Sequence, residues 1–135
     1  MALTYFTVVQ PNVEDIETND SAGNTPEVHL ISALVTFTPS IAEIQSSALD
    51  ATILLRPIVG RIVDGVLCAL DDTPGVKLLA YTADLGTLPD PLTYRVDYSK
   101  VRFDKGDRDM RSFRIEAPTS ATTVDLNRVA RLPLI

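Results

Sequence analysis

Short runs of β-branched and aromatic residues recur along this chain, each closed by glycine, proline, asparagine or aspartate, and no long helical period interleaves them. This pattern constrains the fold more than any other feature. Evenly spaced short strands between turn signals predict an antiparallel sandwich or barrel, and they argue against an α/β fold. The length of 135 residues fits one domain with a real core.

The strands are legible one by one. Tyr5-Phe6-Thr7-Val8-Val9 is the first. Val28 to Thr38 is the second region, in which Val35 and Phe37 alternate with Thr36 and Thr38, and Pro39 ends it. Ile41 to Leu49 carries no convincing stripe and reads as loop, and Ala51 to Leu55 is a further strand. Arg61-Ile62-Val63 and Val66-Leu67-Cys68 flank Asp64-Gly65, a pair suited to the positive φ angles of a type I′ hairpin. After the turn Asp71 to Gly75, Val76 to Tyr81 is extended. Leu92 to Phe103 is the best amphipathic strand, with Tyr94, Val96, Tyr98 and Lys100 expected on one face. Phe113 and Ile115 mark another, and Thr122 to Leu126 a last one, with Asp125 placed to cap a short turn.

Residues 10–27 differ from the rest. They hold Pro11, Asn12, Asn19-Asp20, Gly23 and Pro26, acids, and few apolar residues. This reads as a long loop, of the kind that tends to be functional or mobile. The charge is also uneven. Residues 1–55 contain no lysine or arginine but seven acids: Glu14, Asp15, Glu17, Asp20, Glu27, Glu43 and Asp50. From Arg95 to Arg114 stand seven basic residues, Arg95, Lys100, Arg102, Lys105, Arg108, Arg111 and Arg114, with four aspartates among them. The net charge of −6 disfavours nucleic acid and anionic membranes as partners. The start of the chain has neither the basic nor the apolar region of a secretory signal, and no apolar run approaches the roughly 20 residues that span a bilayer. A soluble protein made in the cytoplasm is expected.

The residues for chemistry are sparse. His29 is the single histidine and Cys68 the single cysteine, so a catalytic triad or a zinc site has little to draw on, and no Gly-x-Ser-x-Gly elbow is present. Cys68 lies in an apolar stretch and reads as a buried thiol. Asp104, Asp107 and Asp109 lack the spacing of a calcium loop and read as a solvated turn. No glycine pattern for phosphate binding occurs. Tyr94 and Tyr98 share a strand face and read as core in preference to a sugar platform. No cofactor, metal site or catalytic residue is expected.

Three segments resemble small minor tail proteins of actinobacterial tailed bacteriophages: Val35-Thr36-Phe37-Thr38-Pro39, Gly60 to Leu67, and Pro74 to Ala80. Phe113 to Thr119, Val124-Asp125-Leu126 and Val129 to Pro133 resemble the end of the same domain. The resemblance covers about residues 30–133 and carries no active-site residue. It implies a β-sandwich module in the virion, at the tail tip or baseplate, or decorating the particle.

Together these readings predict an all-β, antiparallel β-sandwich, Greek-key or jelly-roll-like, with a long N-terminal arm or loop. Residues 1–27 are expected to form a strand and acidic loop serving as an assembly arm, and residues 28–135 the sandwich. The expected function is non-enzymatic: a minor tail or tail-tip protein of a bacteriophage virion that docks on other phage structural proteins and on copies of itself. The alternatives are capsid decoration and a carbohydrate or receptor-binding module, although no residue pattern supports a host glycan. Phe6, Val8, Glu14, Asp15, Glu17, Arg108 and Arg111 are the candidate assembly contacts. In that scheme the acidic arm of one copy lies on the basic hairpin of the next, closing into a ring where the rotation permits.

Overall fold

A computed structural model describes residues 3–17, 27–86, 90–103 and 106–134, with the backbone alone at Glu17 and Glu27. The chain is all-β and sandwich-like. Its larger sheet has six strands. β4 (Ser32–Pro39) and β10 (Thr93–Phe103) lie at its centre, joined on one side by β7 (Ile58–Val63) and β8 (Val66–Ala69). On the other side β10 takes β11 (Gly106–Asp107) and β12 (Phe113–Glu116). A three-stranded sheet places β1 (Tyr5–Val9) between β9 (Val76–Leu79) and β13 (Thr123–Asp125). Two hairpins complete the fold: β2 (Glu14–Glu17) with β3 (Glu27–Leu30), and β5 (Glu43–Ser46) with β6 (Ala51–Leu54).

Period-two burial builds the core. Phe6 and Val8 of β1 and Val76 and Leu78 of β9 pack with Val35 and Phe37 of β4 and with Tyr94 and Val96 of β10. The Phe6 and Tyr94 rings meet edge to face with centroids 5.8 Å apart. The buried Tyr94 hydroxyl donates to the Leu79 carbonyl at 2.8 Å, which ties the larger sheet to the smaller one. The phenol is held above its ordinary range by burial.

The Asp64-Gly65 hairpin forms as its sequence requires. Asp64 has φ +50° and Gly65 φ +79°, and β7 pairs with β8 in register from Val63↔Val66 to Gly60↔Ala69. Asp125 caps the turn after β13, its carboxylate accepting from the Asn127 N–H at 2.8 Å.

Three expectations need correction. Ile41 to Leu49 is not loop, because Glu43–Ser46 forms β5. Its inward positions are Ile44 and Ser46, and the polar Ser46 hides the apolar stripe while its hydroxyl donates to the Asp84 carbonyl. Residues 10–17 are not a loose arm. Gln10 and Val13 are buried, and Glu14–Glu17 pairs with β3; the rest of that expected loop, 18–26, lies outside the described residues. Lys100 does not share the face of Tyr94, Val96 and Tyr98. It has φ +51° at a register shift between Ser99 and Arg102, and this bulge gives the inward place to Val101. The expected antiparallel, sandwich-like architecture is present, with one parallel pairing between β1 and β13.

Candidate interaction surface

The β2–β3 hairpin has two unlike faces, because opposed residues in an antiparallel pair share a side. Asp15 stands opposite His29, and both turn toward the body of the protein. The Asp15 carboxylate forms an ion pair with Arg108, 3.0 Å from its Nε, and accepts a hydrogen bond from its Nη2 at 3.4 Å. The His29 ring lies 5.3 Å from that of Phe103, and the Arg108 guanidinium lies 5.7 Å from the same Phe103 ring. Burial of the anchored face is appreciable, since the Asp15 side chain is only 13% exposed.

The other face is apolar and open to solvent. Ile16 stands opposite Val28 and Glu14 opposite Leu30. Ile16 is 64% exposed, Val28 56% and Leu30 50%. Isolated exposed apolar residues are ordinary, but three on one rigidly held face form a patch of the kind that marks a contact surface. Leu30 also approaches the Gly65 turn of the neighbouring hairpin, beside which Val63 and Val66 are exposed.

The expected assembly contacts are redistributed by this geometry. Phe6 and Val8 are 0% exposed, so the affinity expected from them is used inside the domain's own core. Asp15 and Arg108, expected to meet across two copies, meet within one chain. Glu14 is exposed and flanks the apolar face, Arg111 is exposed between β11 and β12, and the Glu17 side chain lies outside the described residues. Ile16, Val28 and Leu30 escaped the sequence reading because acids and a histidine separate them. The alternation of Ile16 with Asp15 and of Val28 with His29 was the available signal.

The remaining sites show little chemistry. A cleft of about 610 Å³ is lined by Glu43, Asp90, Thr93, Arg114 and Glu116 among others. Its three acids are exposed, and the Arg114 Nε is already donating to the Pro133 carbonyl at 2.7 Å. Cys68 is buried, with its thiol donating to the Arg61 carbonyl at 3.5 Å. Tyr98 is partly buried and donates to Gln10 Oε1 at 2.7 Å, and burial raises its phenol despite that bond and the nearby Arg131 charge. Neither Tyr94 nor Tyr98 offers an open ring face like that of a sugar platform. Among the described residues no group of three or more His, Cys, Asp or Glu could hold a metal ion, and no helix is long and apolar enough to cross a membrane. Asp104 lies outside the described residues. No protein-family model, curated protein or solved structure matches the chain.

Proposed function

We propose that this chain is a non-enzymatic structural component of a bacteriophage virion, a minor tail or tail-tip protein that works by docking on other phage proteins. The observation that carries the docking role is the exposed face of Ile16, Val28 and Leu30 on a hairpin whose opposite face is anchored by Asp15–Arg108 and His29–Phe103. A rigid apolar face lowers the ordering entropy that binding must overcome. The phage setting is supported by the resemblance of Val35 to Pro39, Gly60 to Leu67 and Phe113 to Thr119 to minor tail proteins.

The deciding experiment is location in the intact particle. An epitope label on the chain should be found at the tail tip by electron microscopy, and Ile16→Asp should reduce its occupancy there while leaving the melting temperature nearly unchanged. Label on the capsid would replace the tail assignment with capsid decoration. Particles without label would end the virion reading.

A further inference from the structure

The two larger sheets and the β5–β6 hairpin are separate hydrogen-bonded units, and the seam where they meet is left partly open. A groove of about 310 Å³ lies there, at the small end of the roughly 300–1,000 Å³ of ordinary ligand sites. Buried Leu79 and Tyr94 form its floor, and the exposed Tyr5, Leu54 and Ile58 stand on its rim. The Tyr94 hydroxyl proton is already given to the Leu79 carbonyl, so the floor is apolar in effect. The polar side chains of the lining are few and of one kind. Arg56, on the link between β6 and β7, is exposed and is the one charged residue in the described lining. Among the described residues, neither its guanidinium nor the Tyr5 hydroxyl has a hydrogen bond or an ion pair. Both groups can donate, and a guanidinium fork matches the two oxygens of a carboxylate.

We propose that this seam binds a small carboxylic acid with an aliphatic body, the tail lying on Leu79 and Tyr94 and the carboxylate on Arg56, with the Tyr5 hydroxyl as a second donor. Three features select this class. The apolar floor favours hydrocarbon and offers no acid to repel an anion. A single cation suits one negative charge better than the roughly two of a phosphate monoester. Pro39 and Pro57 in the wall lack the backbone N–H that a docked peptide strand would use, which favours a small molecule over a protein segment. The groove shares no lining residue with the Ile16–Val28–Leu30 face, so this site does not depend on the docking role proposed for that face.

Titration of the full chain with decanoate, followed by calorimetry and by amide NMR shifts, tests it. Decanoate should bind saturably with a Kd on the order of 1 mM or tighter, and the shifts should centre on Leu3, Leu55, Arg56 and Leu79. Acetate, which lacks the tail, and decyltrimethylammonium, which reverses the charge, should each bind at least roughly tenfold more weakly. Arg56→Gln should cost decanoate roughly tenfold in affinity and leave decyltrimethylammonium unaffected. Arg56 is exposed, so this variant should keep the fold, and circular dichroism checks that it does. Absence of saturable binding to the wild-type chain overturns the proposal. So does equal binding of decyltrimethylammonium, which would mark a merely greasy surface, or decanoate affinity indifferent to Arg56→Gln, or shifts centred away from the groove.

Discussion

The carbonyl oxygen of Gly65 accepts a hydrogen bond from the backbone N–H of Val13 at 2.8 Å. The Gly65 N–H donates to the Ile31 carbonyl at 2.9 Å, and the Ile31 N–H donates to the Val13 carbonyl at 3.1 Å. Three segments far apart in sequence thus close a ring of backbone bonds around the tip of the β7–β8 hairpin. Buried backbone groups need such partners, and here the N-terminal segment, the β3–β4 junction and the turn supply each other's. The apolar hairpin face is thereby fixed to the domain.

Gly65→Val should destabilise the domain strongly. The residue has φ +79°, and a Cβ there would sit 2.9 Å from the Val13 carbonyl oxygen and 3.2 Å from Leu30 Cδ2. A β-branched side chain adds left-handed strain to that clash, together roughly 2–4 kcal/mol. The thermal midpoint should fall by on the order of 10 °C. An unchanged midpoint would rule out this turn.

Gly60→Ala tests close approach without backbone strain. A Cβ at Gly60 would lie 2.7 Å from Val76 Cγ2 and 2.9 Å from the Cys68 carbonyl oxygen. The Val76 methyl can shift, but the Cys68 backbone is held in the β7–β8 ladder. A loss of about 1–3 kcal/mol in urea unfolding is expected. A gain, as exposed glycine replacements can give, would mean that the sheets have room to separate.

Asp15 and Arg108 should be coupled within the monomer. Arg108→Asp alone sets two acids together and should loosen the β2–β3 hairpin, seen as faster amide exchange over residues 14–17. The exchanged pair Asp15→Arg/Arg108→Asp should restore protection. Arg108 is half exposed, so the coupling should be at most about 1 kcal/mol. The coupling should persist in dilute samples where the chain is monomeric, and its loss there would return the contact to two different copies.

Stability should decline in alkali through the two buried phenols. Burial raises both Tyr94 and Tyr98 above the ordinary value of 10.0. Above that pH an unfolded chain releases protons that the folded chain retains, so unfolding is favoured as pH rises toward the folded values. The stabilisation is complete below about pH 10 and lost above it. Melting temperatures from pH 8 to 12 should show the fall, about pH 10 being its onset, and Tyr94→Phe should flatten it. Equal slopes for both proteins would show that Tyr94 is not responsible.

Much of the fold was legible because strand and turn signals are local. Tyr5 to Val9, the Asp64-Gly65 hairpin, and Phe113 with Ile115 carry their period of two within a few residues, and Pro39 marks its own strand end. β5 was hidden because one of its two inward positions is the polar Ser46, whose hydroxyl donates to the distant Asp84 carbonyl and accepts from the Leu49 N–H. β2 was hidden because its inward position is Asp15, which makes sense only beside Arg108, 93 residues away. The candidate surface was illegible for the same reason. Whether Ile16 or Asp15 faces solvent depends on what packs behind the hairpin, not on either residue. Local sequence determined where the chain extends and where it turns, since φ preferences and side-chain alternation act between near neighbours. The tertiary structure decided which strands pair, that β1 and β13 run parallel, that Phe6 and Val8 are core, and that an arginine and an aspartate meet inside one chain, because register is set by burial summed over contacts distant in sequence.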